Sequence, residues 1–163
     1  MKSEELREEL RKKDIKFEET FHKAVYTSKE GHMLSLPHCE AEAKNLFLKS
    51  KKSFVLMTVK GDKRVDLKAM AKAMGFSSFS FGKEDELFSL LSLAPGSVTP
   101  MGLLNDKKRR VEFYLDSEFK DGLIRVHPME NTSSILLSSN DLFEFLYSNF
   151  VKCNWIGIKI KET

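Results

Sequence analysis

The sequence predicts a mixed α/β fold, α+β-like in the order of its elements: a single domain over residues 1–163 with a strongly curved, barrel-like mixed β-sheet flanked by helices. Three observations predict it. Helical periodicity comes early and late in the chain, mostly neighbouring strand-like runs lie between, and no repeat, low-complexity tract or linker interrupts them. A chain of 163 residues is long enough to bury a sizeable core without staples.

The elements follow in order. Ser3 is placed to cap a first helix with Leu6 and Leu10 on one face. Thr27-Ser28-Lys29-Glu30 matches a capping box and predicts a short helical start. Residues 41–48 lead into Phe54-Val55-Leu56-Met57-Thr58-Val59, which reads as a buried strand ended by the turn at Gly61-Asp62. Asp66 opens a helix with Leu67, Met70, Ala71 and Met74 at i, i+3, i+4 and i+7, and Gly75 stops it. A helix over residues 84–91 puts Leu87, Leu90 and Leu91 on one side. Residues 101–104, the turn Asn105-Asp106 and residues 111–115 read as a hairpin, and residues 123–126 and 134–137 as another strand pair. A last helix over residues 141–150 carries Leu142, Phe145 and Leu146, and Ile156, Ile158 and Ile160 alternate as a closing strand.

Composition narrows the function classes. Apolar residues make up 41 % and charged residues 31 %, the balance of a soluble globular protein. No apolar run approaches the roughly 18 to 20 residues of a membrane span. The opening MKSEELREELRKKD is charged and helix-like rather than a secretory signal. Cys39 and Cys153 are too few for a disulfide framework or a four-cysteine zinc site, so a reducing cytoplasm is the expected setting. The net charge of +3 names no partner. Lys49, Lys51 and Lys52, and then Lys107, Lys108, Arg109 and Arg110, form clusters that suit phosphates or solvated turns alike.

Few residues offer chemistry. His22, His32, His38 and Cys39 have metal-ligating atoms, but their spacing fits no zinc pattern and no metal is expected. No G-x-S-x-G elbow is present, and Gly31, Gly61 and Gly75 form no phosphate loop. His127 ends a strand-like run just before Pro128, so it either caps that strand or is aimed into a pocket. Lys44 beside Leu46-Phe47-Leu48 either snorkels to water or holds a phosphate or carbonyl, and Asn45 can donate and accept for a small polar group. The run Pro95-Gly96-Ser97-Val98-Thr99-Pro100 carries more breakers than a connector needs. It is either a rigid corner or a stiff loop whose amides face a carbonyl or carboxylate.

Taken together, these pieces resemble one family. Ala43-Lys44-Asn45-Leu46-Phe47-Leu48, Val65-Asp66-Leu67-Lys68, Pro95 through Pro100, and His127-Pro128 with Asn131 and Thr132 stand in the order and rough spacing of the YbaK/ProX superfamily, and the likeness spans about residues 27–150. The resemblance implies a freestanding trans-editing aminoacyl-tRNA deacylase, related to the editing insertion of bacterial prolyl-tRNA synthetases. It implies a cytoplasmic enzyme without cofactor or metal that hydrolyses the ester of mischarged tRNA(Pro) with a positioned water, with prolyl-tRNA synthetase as a partner to be tested. By the same resemblance the backbone of Gly96, Ser97, Val98, Thr99 and Pro100 binds the aminoacyl group, and Lys44 is the pocket lysine that anchors the terminal adenosine or its phosphate. Thr27, Asn45 and His127 match positions that shape the pocket of the alanine-specific branch, so Ala-tRNA(Pro) is the expected substrate. The alternatives are a cysteine- or serine-specific deacylase and a non-catalytic module binding tRNA or a synthetase. One departure stands out: the family often has Gly, His and Thr before Lys-Asn, whereas this chain has Glu40-Ala41-Glu42-Ala43, an acidic pair close to where tRNA would approach.

Overall fold

An alternating apolar hairpin organises the molecule. The computed structural model describes residues 1–24 and 36–162. From the N-terminus these form α1 (Ser3–Lys12), β1 (Phe17–Phe21), β2 (Ala43–Ser50), β3 (Ser53–Lys60), α2 (Leu67–Met74), β4 (Ser80–Phe81), α3 (Glu84–Leu91), β5 (Val111–Asp116), β6 (Leu123–Val126), β7 (Ser133–Ser138), α4 (Ser139–Ser148) and β8 (Cys153–Ile156). Short 3-10 turns occupy Cys39–Ala41, Pro100–Asn105 and Ser117–Phe119.

Hydrogen bonding divides the strands into a five-stranded sheet, β4-β2-β3-β5-β8, and a three-stranded antiparallel sheet, β1-β7-β6. The larger sheet is mixed: β2 runs antiparallel to β3, whereas β3–β5 and β5–β8 are parallel. Successive strand residues point to opposite faces, so β3 is split between two cores. Phe54 and Leu56 join Phe113, Leu115 and the helices α1, α3 and α4, whereas Val55, Met57 and Val59 pack with Val65 and Met70 under α2. The same alternation places Phe47 in the first core and Leu46 and Leu48 in the second.

The mixed α/β expectation holds, but the barrel-like sheet does not. Each sheet is open, with β4 and β8 ending one and β1 and β6 the other. Leu6 and Leu10 of α1, Leu87 and Leu91 of α3, and Leu142 and Phe145 of α4 fill the core between the sheets. Helices cover this interior, so the strands have no need to close on themselves.

Local signals explain most boundaries. Asp66 caps α2 by accepting from the Ala69 amide at 3.0 Å, and Gly75 ends it at φ 80°. The β6–β7 pairing is as expected. Ser3 is not the cap of α1: it is already helical, Lys2 precedes it, and its hydroxyl donates to Glu130 at 3.0 Å. Residues 101–104 are not a strand but part of the Pro100–Asn105 turn, and β5 pairs with β3 instead. The last helix begins at Ser139 because the Ser138 hydroxyl accepts from the Asp141 amide. The closing strand is β8, and Ile160 makes only a single bridge to Val65. The capping box at residues 27–30 lies outside the described residues. Among the described residues no helix is long and apolar enough to cross a membrane.

Candidate active site

Residues 94–100 leave α3 through a tight turn. The Ser97 amide donates to the Ala94 carbonyl at 3.1 Å, with Pro95 and Gly96 between them and Gly96 at φ 83°. That is the arrangement of a type II turn, which takes proline at its second position and needs a positive φ at its third. Thr99 closes the run. Its fully buried hydroxyl donates to the His127 carbonyl at 2.6 Å and accepts from the Met101 amide at 3.3 Å. Pro100 then opens the 3-10 turn, where a missing amide costs nothing.

The middle of the loop is tied to β2. Asn45 Nδ2 donates to the Val98 carbonyl at 3.1 Å, and the Thr58 hydroxyl donates to Asn45 Oδ1 at 2.7 Å. A carbonyl can only accept, so these two contacts fix which way the amide faces. Asn45 and Thr58 stand directly opposite in the β2–β3 register. The loop is therefore held from β2 through Val98 and from His127 through Thr99. The Ser97 amide is committed to its own turn, whereas no hydrogen bond among the described residues occupies the amides of Gly96, Val98 and Thr99. An open groove of about 280 Å³ runs beside this loop, lined by Asn45, Phe47, Phe81, Leu87, Pro95, Gly96 and Val98.

His127 stands at the end of β6. Its Nδ1 lies 2.9 Å from the Ser133 carbonyl, so Nδ1 carries the ring proton and Nε2 keeps its lone pair. Burial is the main cause that holds its pKa below the ordinary histidine value, opposed by the Ser133 hydrogen bond, so the ring is neutral at pH 7. The His22 ring lies 6.1 Å away between centroids, tilted by 58°. His22 Nδ1 lies 2.7 Å from the Lys23 carbonyl and its Nε2 2.8 Å from the Ser134 hydroxyl. Among the described residues no group of three His, Cys, Asp or Glu side chains is placed to hold a metal ion.

The residues singled out from sequence thus divide. Asn45, Gly96, Ser97, Val98, Thr99, Pro100 and His127 come together around one loop. Lys44 does not join them through its side chain: it shares the β2 face of Leu46, and its ammonium lies 3.9 Å from Asp62 beyond β3. Thr27 lies outside the described residues. Sequence reasoning missed Thr58, which orients Asn45, and Ser133, which fixes the His127 ring. Thr58 did leave a signal, as the one hydroxyl inside the apolar run 54–59.

A stiffened amide loop thus stands beside an oriented asparagine and a neutral histidine, on a mixed sheet covered by helices, and unoccupied backbone donors of this kind suit a carbonyl or carboxylate oxygen. A model of the aminoacyl-tRNA editing domain matches residues 22–145, and the chain belongs to that family. It is accordingly an aminoacyl-tRNA deacylase in class, an ester hydrolase. Prolyl-tRNA editing protein ProX of Acetoanaerobium sticklandii is 33 % identical over 131 residues, covering 78 % of this chain and 80 % of that protein. Prolyl-tRNA synthetase associated domain-containing protein 1 of Mus musculus is 34 % identical over 161 residues, covering 90 % and 92 %. A crystal structure presented as a candidate trans-editing enzyme for prolyl tRNA synthetase superposes with a TM-score of 0.71 at 18 % identity over 98 % of this chain and 97 % of that one, a likeness of fold.

Proposed function

We propose that this protein, acting as one domain over residues 1–163, hydrolyses mischarged tRNA(Pro) and that the amino acid it removes is alanine. The observation that carries this reading is the loop held between Asn45 and His127, with the amides of Gly96 and Val98 unoccupied by any hydrogen bond among the described residues. The names of the relatives, a prolyl-tRNA editing protein among them, support tRNA(Pro) as the RNA.

An aminoacyl ester is already activated, so orienting a water and stabilising the oxyanion suffice. The water oxygen adds to the ester carbonyl carbon, and the charge that develops on the carbonyl oxygen meets the amides of Gly96 and Val98, while buried Thr99 holds the end of the loop. The bond to the ribose oxygen then breaks, that oxygen takes a proton, and the free amino acid leaves. The neighbouring ribose hydroxyl of the tRNA helps hold the water. His127 offers Nε2 as an acceptor to the substrate's α-ammonium, and discrimination between alanine and the bulkier proline rests on side-chain size. Lys44 acts from the other face of β2, where its ammonium meets a phosphate of the RNA end. Prolyl-tRNA synthetase, which charges this tRNA, is the partner from which the substrate arrives.

The test is hydrolysis of Ala-, Cys-, Ser- and Pro-tRNA(Pro) by the purified protein. Loss of the alanyl ester ahead of the others supports the reading. Preference for the cysteinyl or seryl ester moves the specificity, and survival of all four at high enzyme concentration rejects hydrolysis.

A further inference from the structure

The N-terminal helix reaches His127 through a chain of polar contacts. Arg7, on the inner side of α1, is only 7 % exposed. Its Nε and Nη2 donate to the two carboxylate oxygens of Glu19 on β1, at 2.8 and 2.6 Å. Glu19 Oε2 in turn accepts from the Ser133 hydroxyl at 2.7 Å. Ser133 is fully buried at the start of β7, and its carbonyl receives the His127 ring proton. Arg7 Nη2 also donates to Glu130 Oε1 at 3.2 Å, and Arg7 Nη1 to Glu4 at 2.7 Å. The segment from His127 to Ser133 is thus gripped at its middle and at its end. Arg7 and Glu19 both precede the residues 22–145 matched by the editing-domain family.

Such a pair is a poor source of stability, because desolvating two ions offsets most of their attraction and apolar residues of similar volume do as well. What the pair does supply is direction. A bidentate guanidinium–carboxylate contact leaves Glu19 one orientation, and that orientation aims an oxygen at the Ser133 hydroxyl. We propose that Arg7, Glu19 and Ser133 are positioning residues for His127, holding the Ser133 carbonyl where only an Nδ1-protonated ring can donate to it and so keeping the Nε2 lone pair free. This rests on the reading of His127 as part of the substrate pocket.

Long-range proton–nitrogen spectra of the labelled protein report the tautomer of each histidine, independently of activity. The wild-type ring of His127 is expected to carry its proton on Nδ1. Ser133→Ala keeps the carbonyl but removes the hydroxyl that anchors it, and Arg7→Leu removes the guanidinium. Both are expected to admit the Nε2-protonated form and to lower kcat for deacylation about five-fold or more with KM within about two-fold. Arg7→Lys, which keeps the charge without the fork, should recover part of both. An unchanged His127 tautomer in Ser133→Ala and Arg7→Leu overturns the proposal, whether or not activity falls, as does an Nε2-protonated wild-type ring. If Arg7→Leu fails to fold, Ser133→Ala decides alone. A tautomer that responds as expected in a protein that hydrolyses no ester supports the positioning and rejects the deacylase reading instead.

Discussion

Replacing Asn45 by aspartate isolates the contact that holds the loop. The carboxylate still accepts from the Thr58 hydroxyl, now 2.7 Å from Oδ1, but it has no proton for the Val98 carbonyl 3.1 Å away. The variant loses one net hydrogen bond, about 1 kcal/mol, and leaves a half-buried carbonyl facing an anion, for a total on the order of 2 kcal/mol. A loop freed to that extent no longer presents its amides in one arrangement. If the same energy is lost from the transition state, the rate falls about thirty-fold. Urea denaturation gives the stability change, and single-turnover hydrolysis of Ala-tRNA(Pro) gives the rate. Thr58→Val is the companion variant, since it keeps the volume and lets the Asn45 amide turn over, and a smaller loss in the same direction is expected. Full activity in Asn45→Asp, at concentrations where the protein is folded, would refute the idea that this contact organises the site.

Four further outcomes follow from the same contacts. Gly96→Ala forces an L side chain to φ 83°, which should cost about 1 kcal/mol in thermal or urea unfolding and slow deacylation with it. Lys44→Ala should change stability by less than about 1 kcal/mol, because its 3.9 Å contact with Asp62 is loose and solvent-screened, while deacylation falls about a hundred-fold in the same assay if it holds RNA phosphate. Glu19 has its carboxyl held below the ordinary 4.5, chiefly by the hydrogen bond from Arg7, so its folded value lies under its unfolded one. Its contribution is complete above the unfolded value and vanishes as pH falls through the folded one. Glu19→Gln should therefore lower the urea midpoint at pH 7, and the difference from wild type should shrink steadily as pH falls below the ordinary 4.5. Finally, burial pushes the Cys153 thiol up to about 12, whereas Cys39 is exposed, so a disulfide-exchange reagent at pH 8 should label Cys39 promptly and Cys153 only on unfolding.

How much of this was legible depends on whether the signal was local. The helix from Asp66 to Gly75 could be read because its cap, periodicity and stop lie within ten residues of one another. The β2–β3 hairpin could not, since its connection is Lys51-Lys52 rather than an Asn-Gly pair, with Lys51 at φ 55°. That miss hid a second fact: once residues 43–50 are a strand, alternation alone sends Lys44 and Asn45 to opposite faces. Met101, Gly102, Leu103 and Leu104 after Pro100 suit a strand or a tight helical turn equally, and the Thr99 cap decided the matter. The parallel pairing of β5 with β3 joins segments far apart in sequence, beyond the reach of any local pattern. The turn at Pro95-Gly96 was visible from composition, but its link to His127 through Thr99 spans 28 residues and came into view only through the family resemblance and the fold.

The most direct test of the account is to see where an uncleavable substrate end sits. An adenosine bearing alanine through a 3′-amide cannot be hydrolysed as an ester, and its titration into labelled protein can be followed at each backbone amide. The account predicts saturable shifts at Gly96 and Val98 and in the His127 ring, all weakened together in Asn45→Asp. Shifts confined to other surfaces, or none at saturating concentration, would contradict the assignment of this loop as the acyl site.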